Sequence, residues 1–436
     1  MRAEATGLVV YAEQSFSMSM HFPSIPAMRY RWFHVAAALV VVSALVPAAA
    51  VVDGETLQAM PGVTLVHGAW FLLIAPLCNV LDALTLMSVR QHIALLVTLV
   101  LLYLAWRMTV PRTRARRANR AVGELRVAFR ALAALFIVYG VGSVAPRPMA
   151  KLVASDTDVV IVDVHSHSNF SLDARPDWSV DDNRRWHRGA GFEIGYLTDH
   201  RTWDGLVPAR RGNPTRAGDD FSFLPGVELH FKGQTVCALG ITERDAVRIW
   251  IDPERSRSPQ ADRVRTAPEP VRVQTIPEKF DRVPAADANG RNGVLAIELV
   301  DGAPRGIAQT QRDRVAIIHL ADSLGLALVA GSNNHGWGRT AVGWTLVTIP
   351  RWRMMPPDSV GDRISDEIRA HRRRATRVAL RNSPNPGTSV VALALTLPGV
   401  VWRMLTTLSL GERLSWLLWL ALFASLALRR GGRRRS

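Results

Sequence analysis

Lysine is almost absent from this chain of 436 residues. It occurs only at Lys151, Lys232 and Lys279, so arginine supplies nearly all of the 53 basic side chains, against 37 acidic ones. Cysteine is scarcer still. Cys78 falls in an apolar run and Cys237 in a strand-like one, with neither the spacing of a thiolate metal site nor a disulfide partner. The formal net charge of +16 is of a size that can signal nucleic-acid binding. Much of it, however, flanks apolar segments, where cytoplasmic arginine sets the orientation of membrane helices. A membrane partner is therefore expected, and no nucleic acid.

The 48% hydrophobic content hides a partition between apolar ends and a mixed middle. Residues 1–32 form a tail without periodicity. Residues 33–146 read as a membrane domain of three to four helices. Its first run, Phe33–Val52, is about long enough to cross a bilayer. Its end, Val46-Pro-Ala-Ala-Ala, also resembles a signal-peptide cleavage region, but a retained helix is preferred because further apolar segments follow at once. These are residues 63–89, interrupted by His67, Asn79 and Asp82, then Ile93–Val110 and Val127–Ala145. The basic loop at 107–126 carries seven arginines and Glu124 as its only acid. At the other end, 381–436 holds a Pro- and Asn-containing linker, the apolar Leu414–Leu428, and a tail with Arg429, Arg430 and Arg433 to Arg435. With the loop and the tail inside, the middle domain lies outside the cytoplasm, in a multi-pass membrane protein. Three early helices would put the N-terminus outside, against Arg29 and Arg31; either 63–89 does not cross once or one early helix is not a span.

Residues 150–380 have the composition of a soluble domain. Val159–Val162, Phe192–Leu197, Phe223–Phe231, Thr235–Ile241, Gly293–Val300 and Leu326–Ala330 read as strands, and Ala308–Leu324 as a helix. Residues 252–292, rich in Pro, Arg and Asp, read as an irregular insertion, and 362–376 as a solvated charged segment. The order implies an α/β fold with a barrel as one form. His165 and His167 follow the first strand two apart, so both imidazoles face one way if the strand continues. Asp199 and His200 close the second strand, Glu228 lies in the third, and Asn333 and His335 follow the last. Strand C-termini gather at one end of parallel α/β folds, where catalytic groups collect.

Asp163-Val-His165-Ser-His167-Ser-Asn-Phe-Ser171-Leu-Asp173, Thr198-Asp199-His200, Pro225-Gly226-Val-Glu228 and Gly331-Ser332-Asn333-Asn334-His335 resemble the four motifs of the polymerase and histidinol phosphatase (PHP) superfamily. The resemblance covers about 155–345. It implies a distorted (β/α)7-type barrel, here flanked by transmembrane α-helices, with divalent ions at the strand ends. It further implies a phosphate-ester substrate, hydrolysed by metal-activated water with His165, His167, His200 and Glu228 at the centre of catalysis. The metal ligands it implies are His165, His167, Asp199, His200, Glu228, Asn333 and His335. Manganese, zinc and iron all suit such donors. Asp163 could fix an imidazole tautomer or equally terminate the strand, and Asp173 and Asp199 are each either a ligand or a partner of one. Arg201 and Arg339 are candidates for contacting phosphate, although surface placement explains them more simply. The chain departs from the family at two points. Asn333 stands where an aspartate is usual, and no histidine occurs between Phe231 and Ile318. His230 could substitute, while His319 and His187 read as packing or surface residues. One or two ions are therefore expected. The alternative is a catalytically reduced PHP-fold module that binds metal or senses at the membrane.

Overall fold

The computed structural model describes residues 25–109, 120–245, 269–383 and 389–432. In chain order, helix α1 (Ile25–Ser43) ends shortly before Pro47, which has no N–H to continue it. Strand β1 (Val51–Asp53) follows, so the run Phe33–Val52 divides into a helix and an edge strand. Residues 63–89 divide too, into β2 (Val63–His67), α2 (Ala69–Leu73) and α3 (Ala75–Thr85), the last restarted at Pro76. Neither helix is long enough to cross a bilayer. Two long helices come next, α4 (Val89–Thr109) and α5 (Arg120–Val144), and most of the basic loop between them lies outside the described residues.

The α/β portion then runs β3 (Ala150–Ala154), β4 (Val159–Ser166), α6 (Val180–Ala190), β5 (Ile194–Leu197), α7 (Leu206–Arg211), β6 (Ser222–Phe231), β7 (Gln234–Leu239), β8 (Val271–Gln274) and β9 (Ala296–Asp301). It continues with α8 (Pro304–Leu324), β10 (Ala327–Gly331), β11 (Gly343–Thr348), α9 (Pro357–His371) and β12 (Arg377–Arg381), before α10 (Val390–Ala394), α11 (Thr396–Thr406) and α12 (Leu410–Gly432). Among the described residues, three helical stretches are long and apolar enough to span a membrane: Val89–Trp106, Gly123–Gly142 and Leu410–Arg429.

Ten strands form one curled sheet in the order β1-β12-β11-β4-β5-β6-β7-β8-β9-β10, and β2 pairs with β3 beside it. The pairs β4–β5, β5–β6, β8–β9 and β9–β10 are parallel. Strict β/α alternation holds around β4-α6-β5-α7-β6 and β9-α8-β10; elsewhere hairpins and the antiparallel β11 and β12 replace it. The curl brings β10 back toward β4 and β11. The Ala330 N–H donates to Thr345 Oγ1 at 2.8 Å, and the Asn333 N–H to the His165 carbonyl at 2.8 Å.

The interior of the curl is filled by Val160, Val162 and Val164 of β4, Ile194 and Tyr196 of β5, Leu224, Leu239, Val273 and Val329. Val360, Ile364 and Ile368, one stripe of α9, join the same core. The segment expected to be a solvated charged face thus also supplies the interior with an apolar stripe at helical spacing. The outer faces pack separately, one against α6 through Trp186 and Trp344, the other against α8 through Ile317 and Ala321.

Candidate metal centre

Strand β4 delivers the first two imidazoles. Its pairing with β5 shifts register between Asp163 and Ser166, an irregularity of the kind that re-aims side chains. Asp163 holds this bend. Its Oδ1 accepts from the N–H groups of His165 (3.1 Å) and Ser332 (2.9 Å), and its Oδ2 lies 2.8 Å from His187 Nε2. It therefore ties β4 to the loop after β10 and to α6, rather than fixing a site imidazole.

Beyond the bend, three atoms converge. His165 Nε2 lies 2.9 Å from His167 Nε2 and 3.0 Å from Glu228 Oε2, and His167 Nε2 is 3.2 Å from that same oxygen. All three residues are buried. Two ring nitrogens and a carboxylate oxygen at such range repel through their lone pairs unless a cation or a proton lies among them. A second group shares His167: its donor atoms and those of His200 and His335 all lie within 4.8 Å of one another. His335 stacks on His167 with ring centroids 4.0 Å apart, and His200 stacks at 4.7 Å. Asp173 spans the outer edge, 3.1 Å from His200 Nε2 and 3.2 Å from His335 Nε2.

Glu298 backs the cluster. Ala296 lines the interior core, and Glu298, two residues on, faces the same way. Its Oε1 lies 2.7 Å from His165 Nδ1, with the carboxyl fully buried. The approach requires Gly331, where a Cβ would come within 2.3 Å of Glu298 Oε1 and 2.7 Å of the His165 Cβ. Asp301 ends the same strand and accepts from Asn333 Nδ2 at 3.1 Å.

The electrostatics follow the geometry. Burial opposes charge on His165, but Cys237, Glu298 and Glu228 around it raise its pKa well above the ordinary value. Burial, assisted by His335 and His165 and opposed by Glu228, pushes His167 down to about 3. Glu228 is held far below the carboxylate range by His165 and then His167, despite its burial. Burial pushes Glu298 up to about 7 and raises Asp301.

The donor set fits a divalent cation. Glu298 Oε2 and Asn333 Oδ1 are buried and have no hydrogen-bond partner among the described residues. Buried acceptors of this kind carry a desolvation penalty that an ion would relieve. His335 Nδ1 faces the Asn333 carbonyl at 3.0 Å, which turns Nε2 toward Asp173 and the cluster.

No family model and no curated protein matches the chain. Among solved structures, it is similar to PsfC from Pseudomonas syringae, at 16% identity over 56% of this chain and 98% of that one, with a TM-score of 0.34. It is also similar to a two-domain protein from Bacteroides vulgatus containing a predicted PHP-like metal-dependent phosphoesterase: 13% identity, 50% and 64% covered, TM-score 0.32. A third, from Bifidobacterium adolescentis and proposed to be a metal-dependent phosphoesterase, shares 14% identity over 46% and 94%, with a TM-score of 0.25. These likenesses are weak.

The structure brings together His165, His167, His200, Glu228 and His335. It places Asp199, expected as a ligand, elsewhere: its carboxylate accepts from Ser168 N–H (2.6 Å) and Oγ (2.7 Å). Asn333 is beside the cluster, in the left-handed region at φ 43°, with its amide nitrogen committed to Asp301. His230 is exposed and near Thr235. His187, expected as packing or surface, is buried against Asp163. Glu298 and Asp301 had no place in the sequence reading. The signal was present in Ala296-Ile-Glu298-Leu-Val, an acid inside an apolar strand, which is rarely buried without a partner.

Proposed function

We propose that the protein is a membrane-anchored, PHP-type metal-dependent phosphoesterase with a distorted (β/α) barrel at 150–380. The carrying observation is the convergence of His165 Nε2, His167 Nε2 and Glu228 Oε2 beside buried acceptors that lack partners. His165, His167 and Glu228 would hold one divalent ion, and His200 and His335, the former with Nδ1 3.4 Å from Glu228 Oε2, would hold a second. Ions so held supply a lowered water pKa and charge neutralisation at phosphoryl oxygens. The chain's own groups orient that chemistry. Glu298 fixes His165, and the His335 Nδ1 contact with the Asn333 carbonyl fixes His335.

The membrane placement is supported by the ends of the long helices. Gln91 at the start of α4 meets Gln311 of α8, Arg147 beyond α5 meets Asp82, and Glu412 at the start of α12 meets Asn79. All three thus have their domain-side ends together, and the opposite ends adjoin the arginines of 107–126 and 429–435. With the basic loop and the arginine tail inside, α5 and α12 place the α/β domain outside the cytoplasm.

The test uses the full chain in detergent with Mn²⁺ or Zn²⁺, because β1 and β2 come from before residue 146. Release of phosphate from a generic phosphate ester is expected, lost in His165→Ala together with the metal. The reading fails if no metal supports turnover while His165→Ala binds metal as well as the wild type. A protein retaining one ion or none, without turnover, would instead be the catalytically reduced module, which the amide at Asn333 favours.

A further inference from the structure

Two loops frame the open side of the cluster, and both present large apolar side chains to solvent. In the loop after β4, Phe170 is 42% exposed and Leu172 completely so, one residue before Asp173; in the loop after β10, Trp337 is 53% exposed, two residues beyond His335. The loops are joined to each other. The Arg175 N–H donates to the His335 carbonyl at 2.9 Å, its guanidinium to the Gly336 carbonyl at 3.0 Å, and the same guanidinium lies 5.4 Å over the Trp337 ring. Single exposed apolar residues are ordinary, but a group of them beside a polar site marks a surface for an apolar partner.

The second loop runs directly to the end of a membrane-type helix. Thr340 bonds to Arg381, Arg381 reaches Asp82 at 3.0 Å, and Asp82 takes Arg147 at 2.9 Å. Arg147 donates in turn to the carbonyl of Gly142, the last residue of the apolar stretch Gly123–Gly142. Thr340 follows His335 by five positions, a reach of at most about 17 Å. Arg339, between them, is half-buried, and burial together with Arg175 and Arg147 lowers its pKa. Arg201, whose N–H donates to the Glu228 carbonyl at 3.0 Å, is exposed beside the cluster.

We propose that the substrate is a phosphate ester of a lipid alcohol, taken from the bilayer: Phe170, Leu172 and Trp337 contact its apolar part while the exposed Arg201, beside the cluster, receives the phosphate. This rests on the phosphoesterase reading and specifies its substrate class. Water oxygen bonds to phosphorus, the bond from phosphorus to the lipid oxygen breaks, and that oxygen takes the proton that water gives up. The products are the lipid alcohol and inorganic phosphate.

The experiment compares two esters with the same headgroup, phosphatidic acid in mixed micelles and sn-glycerol 3-phosphate in solution. It uses the full-length protein in detergent with Mn²⁺ or Zn²⁺ and reads released phosphate. The expected kcat/KM for phosphatidate is at least about tenfold higher. The double variant Phe170→Asp/Leu172→Asp and the single variant Trp337→Ala should lower the ratio of the two rates several-fold; a variant that merely folds poorly lowers both rates and leaves the ratio intact. Equal kcat/KM for the two esters, or a ratio the variants do not move, overturns the lipid substrate while leaving the phosphoesterase standing. Failure of both esters and of a generic phosphate ester removes the phosphoesterase reading itself.

Discussion

Glu298 is the residue on which the cluster's order depends most directly. A carboxylate against one imidazole nitrogen fixes the ring's orientation and raises the basicity of the other, and loss of such a partner commonly costs 10–100-fold in metal affinity. Glu298→Gln, nearly the same shape without the charge, is therefore expected to weaken Mn²⁺ or Zn²⁺ binding by about 10–100-fold in a chelator competition titration. Unchanged affinity would show that His165 is oriented by β4 alone. The histidines and Glu228 were legible in the sequence because each stands at or near the end of an apolar run. Adjacent residues of an extended segment face opposite ways, and Asp199 turns to Ser168 while His200 turns to the cluster. The pairing of His187 with Asp163 spans 24 residues and joins a helix to a strand. No local pattern announces such a contact.

Helix α6, which carries His187, begins with a reciprocal cap. Ser179 accepts from the Asp182 N–H, and the Asp182 carboxylate accepts from the Ser179 N–H and hydroxyl. The Ser179 hydroxyl, outweighing slight burial and aided by Arg185, lowers the Asp182 pKa from its ordinary 3.8. A carboxyl depressed in the folded state contributes stability that is complete above its unfolded value and lost as pH falls through the folded one. Ser179→Ala is expected to cost about 1 kcal/mol at pH 7, with the difference shrinking below pH 3.8. Denaturant unfolding of both proteins at the two pH values measures this; an equal difference at each would exclude a part for the Asp182 charge. At this scale β4, β5, β6, β7, β9, β10 and α8 were legible from their apolar periods, with ends within a few residues. Strand β8 was not, since Val271–Gln274 is four residues long inside a segment dominated by Pro, Arg and Asp. Residues 63–89 misled because hydropathy does not distinguish a membrane span from a strand and two short helices packed under a domain.

The α/β domain and the long helices are held together by a few buried polar contacts, and Asp82 is central among them. It is 1% exposed and takes both Arg147, just beyond α5, and Arg381, at the end of β12. Asn79, one helical turn earlier, reaches Glu412 of α12, and Arg413 reaches Ser43 of α1. One short helix, α3, thus joins the sheet's edge, α5 and α12. Removing the shared partner of two buried guanidiniums leaves uncompensated charge, which typically costs 3–5 kcal/mol, whereas removing opposite charges together is often nearly neutral. Asp82→Ala in the full chain in lipid nanodiscs is therefore expected to lower the thermal unfolding midpoint and to expose the 142–150 junction to protease. Asp82→Leu combined with Arg147→Met and Arg381→Met should recover much of the loss, a non-additivity expected of groups in one network. If the triple variant is as unstable as the sum of its parts, the triad acts through packing volume, and its charges do not set how the domain sits on its helices.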